Sequence, residues 1–121
     1  MIDHVTLNVR DLEPARDFYE RALGPVGYEL AMDFPEWCGF AHDKKPDFFL
    51  SYRAEPSAPV HVAFRAPDRA SVDAFFEAAL AAGGRDNGPP GLRRVYHEHY
   101  YGAYVFDPEG NNIEAVTHAP E

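Results

Sequence analysis

The stretch that decides the fold occurs twice, as HVTLNV at residues 4–9 and as HVAFRA at residues 61–66. In each copy apolar side chains alternate with others, which predicts a strand with one face against a core. The offset of 57 residues continues without a gap and pairs Asp11 with Asp68 and Phe18 with Phe75. We therefore interpret the chain as a duplicated unit.

An amphipathic helix follows each of these strands. Asp11 and Asp68 stand where a side-chain oxygen can accept hydrogen bonds from the free N–H groups of a helix start. Apolar residues then recur at helical spacing, at Ala15, Phe18, Tyr19, Ala22 and Leu23 in the first unit and at Val72, Phe75, Phe76, Ala79 and Leu80 in the second. Gly24 and the pair Gly83-Gly84 are expected to end the helices, because glycine readily adopts the left-handed cap conformation.

The remainder of each unit is predicted to form three short strands. They are placed at 28–34, 36–42 and 47–54, and at 93–99, 101–107 and 111–117, with turns at 43–47 and 107–111, a link at 55–59 and a flexible connection at 87–91. The expected fold is α+β, with two tandem βαβββ modules forming a curved, mostly antiparallel sheet with the helices outside. One domain over residues 1–121 would contain module one at about 1–54 and module two at about 60–117.

Composition narrows the class of protein. The net charge of −9 argues against nucleic acid as a partner, because phosphate binding needs clustered Lys and Arg. No apolar run approaches the roughly 20 residues of a membrane span. A single cysteine excludes an intrachain disulfide framework and suits a reducing compartment. We therefore expect a cytoplasmic protein that binds neither nucleic acid nor a membrane.

His4, His61 and Glu114 are the candidate metal ligands. The strand alternation puts both histidines on the face away from the helices, at equivalent places in the two units, and Glu114 lies in the last predicted strand. Two imidazoles and one carboxylate suit one divalent ion such as zinc, ferrous iron, manganese or nickel, with positions left for a substrate oxygen. A lone histidine or glutamate in a strand is usually just solvated; the repeat-related placement favours the metal.

The segment 93–104 carries the densest chemistry, with two Arg, two His and four Tyr in twelve residues. Imidazole can act as an acid or base, and tyrosine can orient a substrate oxygen. We predict catalytic roles for Tyr104 and His97. Tyr96, His99 and Tyr100 fit substrate binding and plain coverage of a sheet surface equally well.

The chain resembles the vicinal oxygen chelate superfamily, which includes glyoxalase I, fosfomycin-resistance enzymes, extradiol dioxygenases and bleomycin-resistance proteins. The resemblance covers nearly the whole chain and is carried by MIDHV at 1–5, ARDFY at 15–19, HVAF at 61–64 and DPEGNNIE at 107–114. It implies that His4, His61 and Glu114 are metal ligands. It also implies a homodimer, with the site within one chain or between two.

Individual branches of the superfamily match unequally. Glyoxalase I of the bacterial type has a fourth ligand, a glutamate on the last strand of unit one; aligning the turns places Leu50 there, which disfavours ordinary glyoxalase I activity. Thr6 and Tyr104 match positions that face the antibiotic in fosfomycin-resistance enzymes, although the basic residues that bind the phosphonate have no evident counterpart. In extradiol dioxygenases the residues matching His97 and Tyr104 act beside the substrate, and the metal is ferrous iron.

The sequence therefore predicts a divalent-metal-dependent enzyme that acts on a small oxygen-chelating substrate. Its chemistry would be of the lyase or isomerase type, or of the ring-cleaving dioxygenase type. The alternative is a non-catalytic binding protein of the bleomycin-resistance type, whose aromatic, acidic cleft would suit cationic aromatic ligands. The three ligands favour the enzyme, since a metal-free binder has no need of them together.

Overall fold

The computed structural model describes residues 1–56 and 58–120. Residue 57, in the predicted link between the modules, and residue 121 lie outside the described part. The first module contains β1 (Val5–Val9), α1 (Leu12–Leu23), a 3₁₀ turn (Gly24–Val26), β2 (Tyr28–Asp33), β3 (Trp37–His42) and β4 (Lys45–Tyr52). The second contains β5 (His61–Arg65), α2 (Arg69–Ala81), β6 (Arg85–Leu92), β7 (Tyr101–Phe106) and β8 (Asn112–Thr117). Neither described helix could cross a bilayer.

The two modules repeat one topology, as the duplication predicts. Their strands form two four-stranded sheets, in the orders β1-β4-β3-β2 and β5-β8-β7-β6. The first strand of each module is parallel to the last, and the other neighbours are antiparallel. The α+β fold of two βαβββ modules is therefore confirmed, with strands that pair within a module to give two mixed sheets.

Strand register corrects the expectation about Leu50. Thr6 pairs with Phe49, whereas Ala63, its counterpart in the second module, pairs with Glu114. Phe49 is therefore the equivalent of Glu114, and Leu50 lies fully buried on the helix-facing side. Counting from the turns fails because the first hairpin closes with a tight turn and its strand pair contains an irregularity beside Ala41.

One hydrophobic core serves both modules. The core residues come from both helices and from the helix-facing sides of both sheets. Phe64 of β5 makes edge-to-face contacts with Phe48 and Tyr28 of module one, with ring centroids 5.0 Å and 5.3 Å apart. Because these faces pack toward each other, the opposite faces of the two sheets remain uncovered by the chain's own helices.

A turn of module two connects the modules through a buried carboxylate. Asp107 is 2% exposed and accepts hydrogen bonds from the Tyr19 hydroxyl of α1, from the backbone N–H of Asn111 at 2.8 Å and from that of Glu109 at 2.9 Å. Glu109 in turn accepts from the backbone N–H groups of Arg10 and Asp11 at 3.0 Å and 2.9 Å. The turn therefore fixes the start of α1.

The predicted helix caps differ in outcome. Asp68 caps α2, since its side chain accepts from the Ser71 N–H at 2.8 Å. Asp11 stands at the start of α1 but makes no capping hydrogen bond. Gly24 directly follows α1 in a helical conformation, and the left-handed residue is Gly27, at φ 99°. Gly83, at φ 98°, takes the expected conformation after α2.

The strand predicted at 93–99 is wrong, and so is the flexible connection at 87–91. The strand β6 runs over Arg85–Leu92 and contains that glycine- and proline-rich segment, while 93–100 forms turns. Proline is tolerated in β6 because β6 is an edge strand, where a missing N–H leaves no ladder bond unmade. The other predicted strands match β2, β3, β4, β7 and β8 within about two residues.

Candidate functional site

Four strands of module two present one exposed face, here called the site face. Across the sheet, Ala63, Glu114, Tyr104 and Gly88 form one row of paired residues, so their side-chain positions lie on the same side. His61 lies two residues before Ala63 on β5 and therefore points to this side too. The topology thus brings three predicted site residues, His61, Glu114 and Tyr104, to one face.

Glu114 is the centre of the site face. It is only 1% exposed, although it lies on the face away from the helices. Its Oε1 lies 2.9 Å from His61 Nε2, and its Oε2 accepts a hydrogen bond from the Tyr100 hydroxyl. A buried carboxylate requires such partners, because its desolvation is costly without them. Both carboxylate oxygens are therefore held in fixed directions.

Two tyrosines surround the Glu114 carboxylate. Burial raises the pKa of Tyr100, and the hydrogen bond to Glu114 raises it further. Burial also raises the pKa of Tyr104, whose ring centroid lies 6.3 Å from that of His61. Both hydroxyls are protonated at neutral pH, as in any tyrosine, and can donate hydrogen bonds; the raised pKa values extend this into the alkaline range.

Glycines form the floor of the site face. A Cβ added to Gly102 would lie 3.3 Å from Glu114 Oε2, and one added to Gly88 would lie 3.0 Å from the Tyr104 ring. A Cβ on Gly91 would lie 3.0 Å from the guanidinium of Arg93. Since each of these contacts is tighter than ordinary packing, the sheet needs residues without side chains here for the site groups to lie close to its backbone.

His4 does not join His61 and Glu114 within the chain. It lies just before β1, hydrogen-bonds Asp3 at 2.8 Å and contacts Phe49 edge-on at 5.4 Å. Within residues 1–56 and 58–120, no three His, Cys, Asp or Glu side chains are arranged to hold a metal ion. His4 and His61 do line a common cleft of about 530 Å³ between β1 and β5.

The matching face of module one is aromatic. Thr6 lies beside Phe49 on this face, and both line a cavity of about 270 Å³ with His4 and Trp37. Trp37 stacks on Phe34 with ring centroids 4.6 Å apart, and both rings are more than one third exposed. Module one therefore offers a polar hydroxyl, an imidazole and exposed aromatic rings where module two offers a carboxylate.

The segment between β6 and β7 places the remaining predicted residues. Tyr100 reaches Glu114, whereas the ring of His97 lies against those of His99 and His118, at 6.0 Å and 5.4 Å. His97 also accepts the backbone N–H of His99 through Nδ1 at 3.0 Å. Tyr96 is 67% exposed and contacts the Tyr100 ring. Of the predicted site residues in this segment, Tyr100 is the one that hydrogen-bonds the Glu114 carboxylate.

Sequence reasoning missed two residues. Alignment of the turns placed Leu50, instead of Phe49, opposite Glu114. The equivalent pairs Thr6–Phe49 and Ala63–Glu114 of the two modules show that Phe49 is the matching residue. Arg93 was assigned to a strand without a role of its own. Its guanidinium lies over the Tyr104 ring, 5.3 Å from the centroid, and the signal for this placement is the pair of glycines in β6 that leave room for it.

The chemistry of the donor pair fits a divalent metal. Ligand atoms at about 2.1 Å from an ion, and at angles of roughly 90–110°, lie about 3.0–3.4 Å apart. The distance of 2.9 Å between His61 Nε2 and Glu114 Oε1 is close to this range. The two residues could therefore supply two ligands with small side-chain adjustments. A third ligand would have to come from outside this sheet face, because no third His, Cys, Asp or Glu of the described residues is placed beside them.

Comparison with known proteins identifies the family of the chain. The family model described as Glyoxalase/Bleomycin resistance protein/Dioxygenase superfamily matches residues 1–115. No curated protein matches the chain. A solved glyoxalase/bleomycin resistance protein from Albidiferax ferrireducens T118 is 29% identical, covers 99% of both chains and superposes with a TM-score of 0.84.

Two more distant structures share the fold. A glyoxalase/bleomycin resistance protein/dioxygenase family enzyme from Burkholderia phytofirmans PsJN is 20% identical, with 97% and 98% of the chains covered and a TM-score of 0.77. A lactoylglutathione lyase from Agrobacterium tumefaciens is 21% identical, with 97% and 92% covered and a TM-score of 0.72. The match over residues 1–115 shows that the chain belongs to the glyoxalase/bleomycin resistance protein/dioxygenase superfamily.

Proposed function

We propose that the protein is a metal-dependent enzyme acting on a small substrate that chelates the metal through neighbouring oxygens. The observation that carries this proposal is the 2.9 Å contact between His61 Nε2 and the buried Glu114 carboxylate. A buried carboxylate beside an imidazole, on an exposed sheet face with tyrosine donors, is the donor set of a divalent metal site with open positions. His4 is the proposed third ligand.

The third ligand is proposed to come from a second copy of the chain. His4 lies on module one, apart from His61 and Glu114, and both sheet faces that carry these residues are uncovered by the chain's own helices. In a homodimer with twofold symmetry, module one of each copy can lie over module two of the other. Each site would then combine His4 and Thr6 of one copy with the site face of its partner.

Each side chain has a role that follows from its chemistry. A bound divalent ion would polarise substrate oxygens as a Lewis acid. Tyr104 donates a hydrogen bond to a substrate oxygen, because its hydroxyl is protonated at neutral pH and lies on the same face as Glu114. Tyr100 orients the Glu114 carboxylate through Oε2, which leaves Oε1 beside His61 for the metal. The rings of His97 and Tyr100 both contact that of His118, and His97 is proposed to exchange protons with the substrate.

A second candidate function is binding without catalysis, of the bleomycin-resistance type. The exposed stack of Phe34 and Trp37 favours it, because exposed aromatic rings on an acidic protein attract flat cationic ligands. Ligand affinity measured with and without a chelator separates the two functions. Affinity that is insensitive to the chelator supports the binder and contradicts the metalloenzyme.

Complementary variants test the shared metal site. His4→Ala and His61→Ala are each expected to lose the metal as homodimers. In a heterodimer purified through two different tags, one site contains His4 of one chain with His61 and Glu114 of the other and is intact. We expect about half an equivalent of metal per chain in that heterodimer. A heterodimer as empty as its parents contradicts sharing, whereas a metal-replete His61→Ala homodimer contradicts the site itself.

A further inference from the structure

Arg93 and Tyr100 form the base of the loop that overhangs the site face. The backbone N–H of Arg93 donates to the carbonyl of Tyr100 at 2.7 Å, which closes the segment 93–100. From this base the Tyr100 hydroxyl reaches Glu114, and the Arg93 guanidinium lies over the ring of Tyr104. The loop thus delivers a fixed cation to the same face as the proposed metal ligands.

The guanidinium of Arg93 is held in place by neutral groups. One nitrogen donates to the Pro89 carbonyl at 2.7 Å, and the flat side of the group stacks on Tyr104. Gly91 makes room for it, since a Cβ there would lie 3.0 Å from one of its nitrogens. These contacts fix the direction of the remaining donors without consuming them, because a guanidinium carries five N–H groups.

No carboxylate of the described residues forms an ion pair with Arg93. Ion pairs are formed elsewhere among these residues, for example by Arg16, Arg21 and Lys45. A half-buried cation that is positioned by a glycine floor but not neutralised has the properties of an anion-binding group.

We propose that Arg93 binds a carboxylate of the substrate, so that the substrate is an oxygen-chelating compound that also carries one carboxylate. This inference rests on the proposed function, because it places the carboxylate relative to the metal ligands. The ring of Tyr104 is close to both groups, at 5.3 Å from the Arg93 guanidinium and 6.3 Å from the His61 ring. Tyr104 is therefore a shared neighbour of the Arg93 guanidinium and of the proposed metal ligand His61.

A matched pair of probes tests the proposal. 3,4-Dihydroxybenzoate carries vicinal oxygens and a carboxylate, whereas 3,4-dihydroxybenzamide keeps the oxygens and shape but is neutral. In calorimetric titration of the metal-loaded protein, the benzoate is expected to bind at least tenfold more tightly than the benzamide. In Arg93→Gln the benzoate should weaken about tenfold to a hundredfold, as expected for losing a hydrogen bond to a charged group, while the benzamide is unchanged.

Arg94→Gln is the matched control, because it removes the same charge from the adjacent, exposed residue. It should retain the preference for the benzoate, and Arg93→Lys should restore part of it. Equal affinities of the two probes for the wild type, no binding of either at millimolar concentration, or a preference that survives in Arg93→Gln would each overturn the inference. Repeating the titration after chelator treatment separates the two proposals: if both probes bind as tightly without metal while the preference for the benzoate still requires Arg93, the anion site is supported and the metal site is contradicted.

Discussion

At the scale of single residues, the buried pair of Tyr19 and Asp107 forms a polar link between the modules. Tyr19 is fully buried, and its hydroxyl donates to the Asp107 carboxylate, which also accepts from Asn111. Burial, and then the charge of Asp107, raises the pKa of Tyr19 well above its ordinary value. The folded state therefore holds a proton that the unfolded chain releases at about pH 10.

This proton makes stability depend on alkaline pH. The Tyr19 contribution is fully present below about pH 10 and is lost as the pH rises toward the folded-state pKa, by about 1.4 kcal/mol per pH unit. In Tyr19→Phe we expect a loss of about 1–3 kcal/mol at pH 8 but a shallower decline above pH 10. Urea unfolding between pH 8 and 11 measures both, with Tyr52→Phe, an exposed tyrosine, as control. Equal slopes in all three proteins would refute the role of Tyr19.

At the scale of elements, β6 determines the shape of the site. Its Gly88 lies at φ 147°, a backbone conformation that side chains disfavour, and leaves space for the Tyr104 ring. Two irregularities in its pairing with β7 bracket the same segment. An edge strand of glycine and proline thus brings its backbone close to the site groups, which a regular strand with side chains could not do.

Gly88→Ala should therefore lower the free energy of unfolding by about 1–3 kcal/mol and displace Tyr104. Gly24→Ala is the matched control, because Gly24 has helical dihedral angles and no atom within 4 Å of the added Cβ. It should be neutral or stabilising by up to about 1 kcal/mol. Urea unfolding measures both changes. A Gly88→Ala variant as stable as Gly24→Ala would show that β6 carries no strain at this position.

The same strand shows where sequence reasoning succeeds and fails. The duplication, the helices and most strands follow from periodicity and from repeated residues, because these patterns are local. The sequence GPPG at 88–91 has no alternation and resembles a loop, since its strand pairing depends on β7 and not on its own side chains. Phe49 was missed because its position depends on the register between β1 and β4. Arg93 was missed because its position depends on where β6 ends.

The candidate site was predicted in part by the same logic. Alternation along β5 was sufficient to place His61 on the face away from the helices, because the facing of a side chain follows from its position in a strand. Glu114 was predicted only to lie in the last strand, and the pairing of Ala63 with Glu114 is what shows that it shares the face of His61. The placement of His4 depends on how the modules pack, which no local pattern encodes. Tyr100 reaches Glu114 only because the loop base closes between Arg93 and Tyr100.

At the scale of the whole molecule, the two modules share one core and direct their opposite faces outward. Module two carries His61, Glu114 and the tyrosines, while module one carries His4 and the aromatic face. Each face carries groups that the other lacks. An assembly of two copies would bring His4 of one chain to His61 and Glu114 of the other. The central claim is that such an assembly holds one divalent metal per chain through His4, His61 and Glu114.

Metal content measured by elemental analysis tests this claim most directly. The wild type, purified untagged and without chelator, is compared with His61→Ala and with His42→Ala, whose histidine lies against Tyr28 at the far end of β3. We predict about one equivalent of a divalent metal per chain in the wild type and in His42→Ala, and almost none in His61→Ala. Equal metal content in all three proteins, or none in the wild type after reconstitution, would contradict the account.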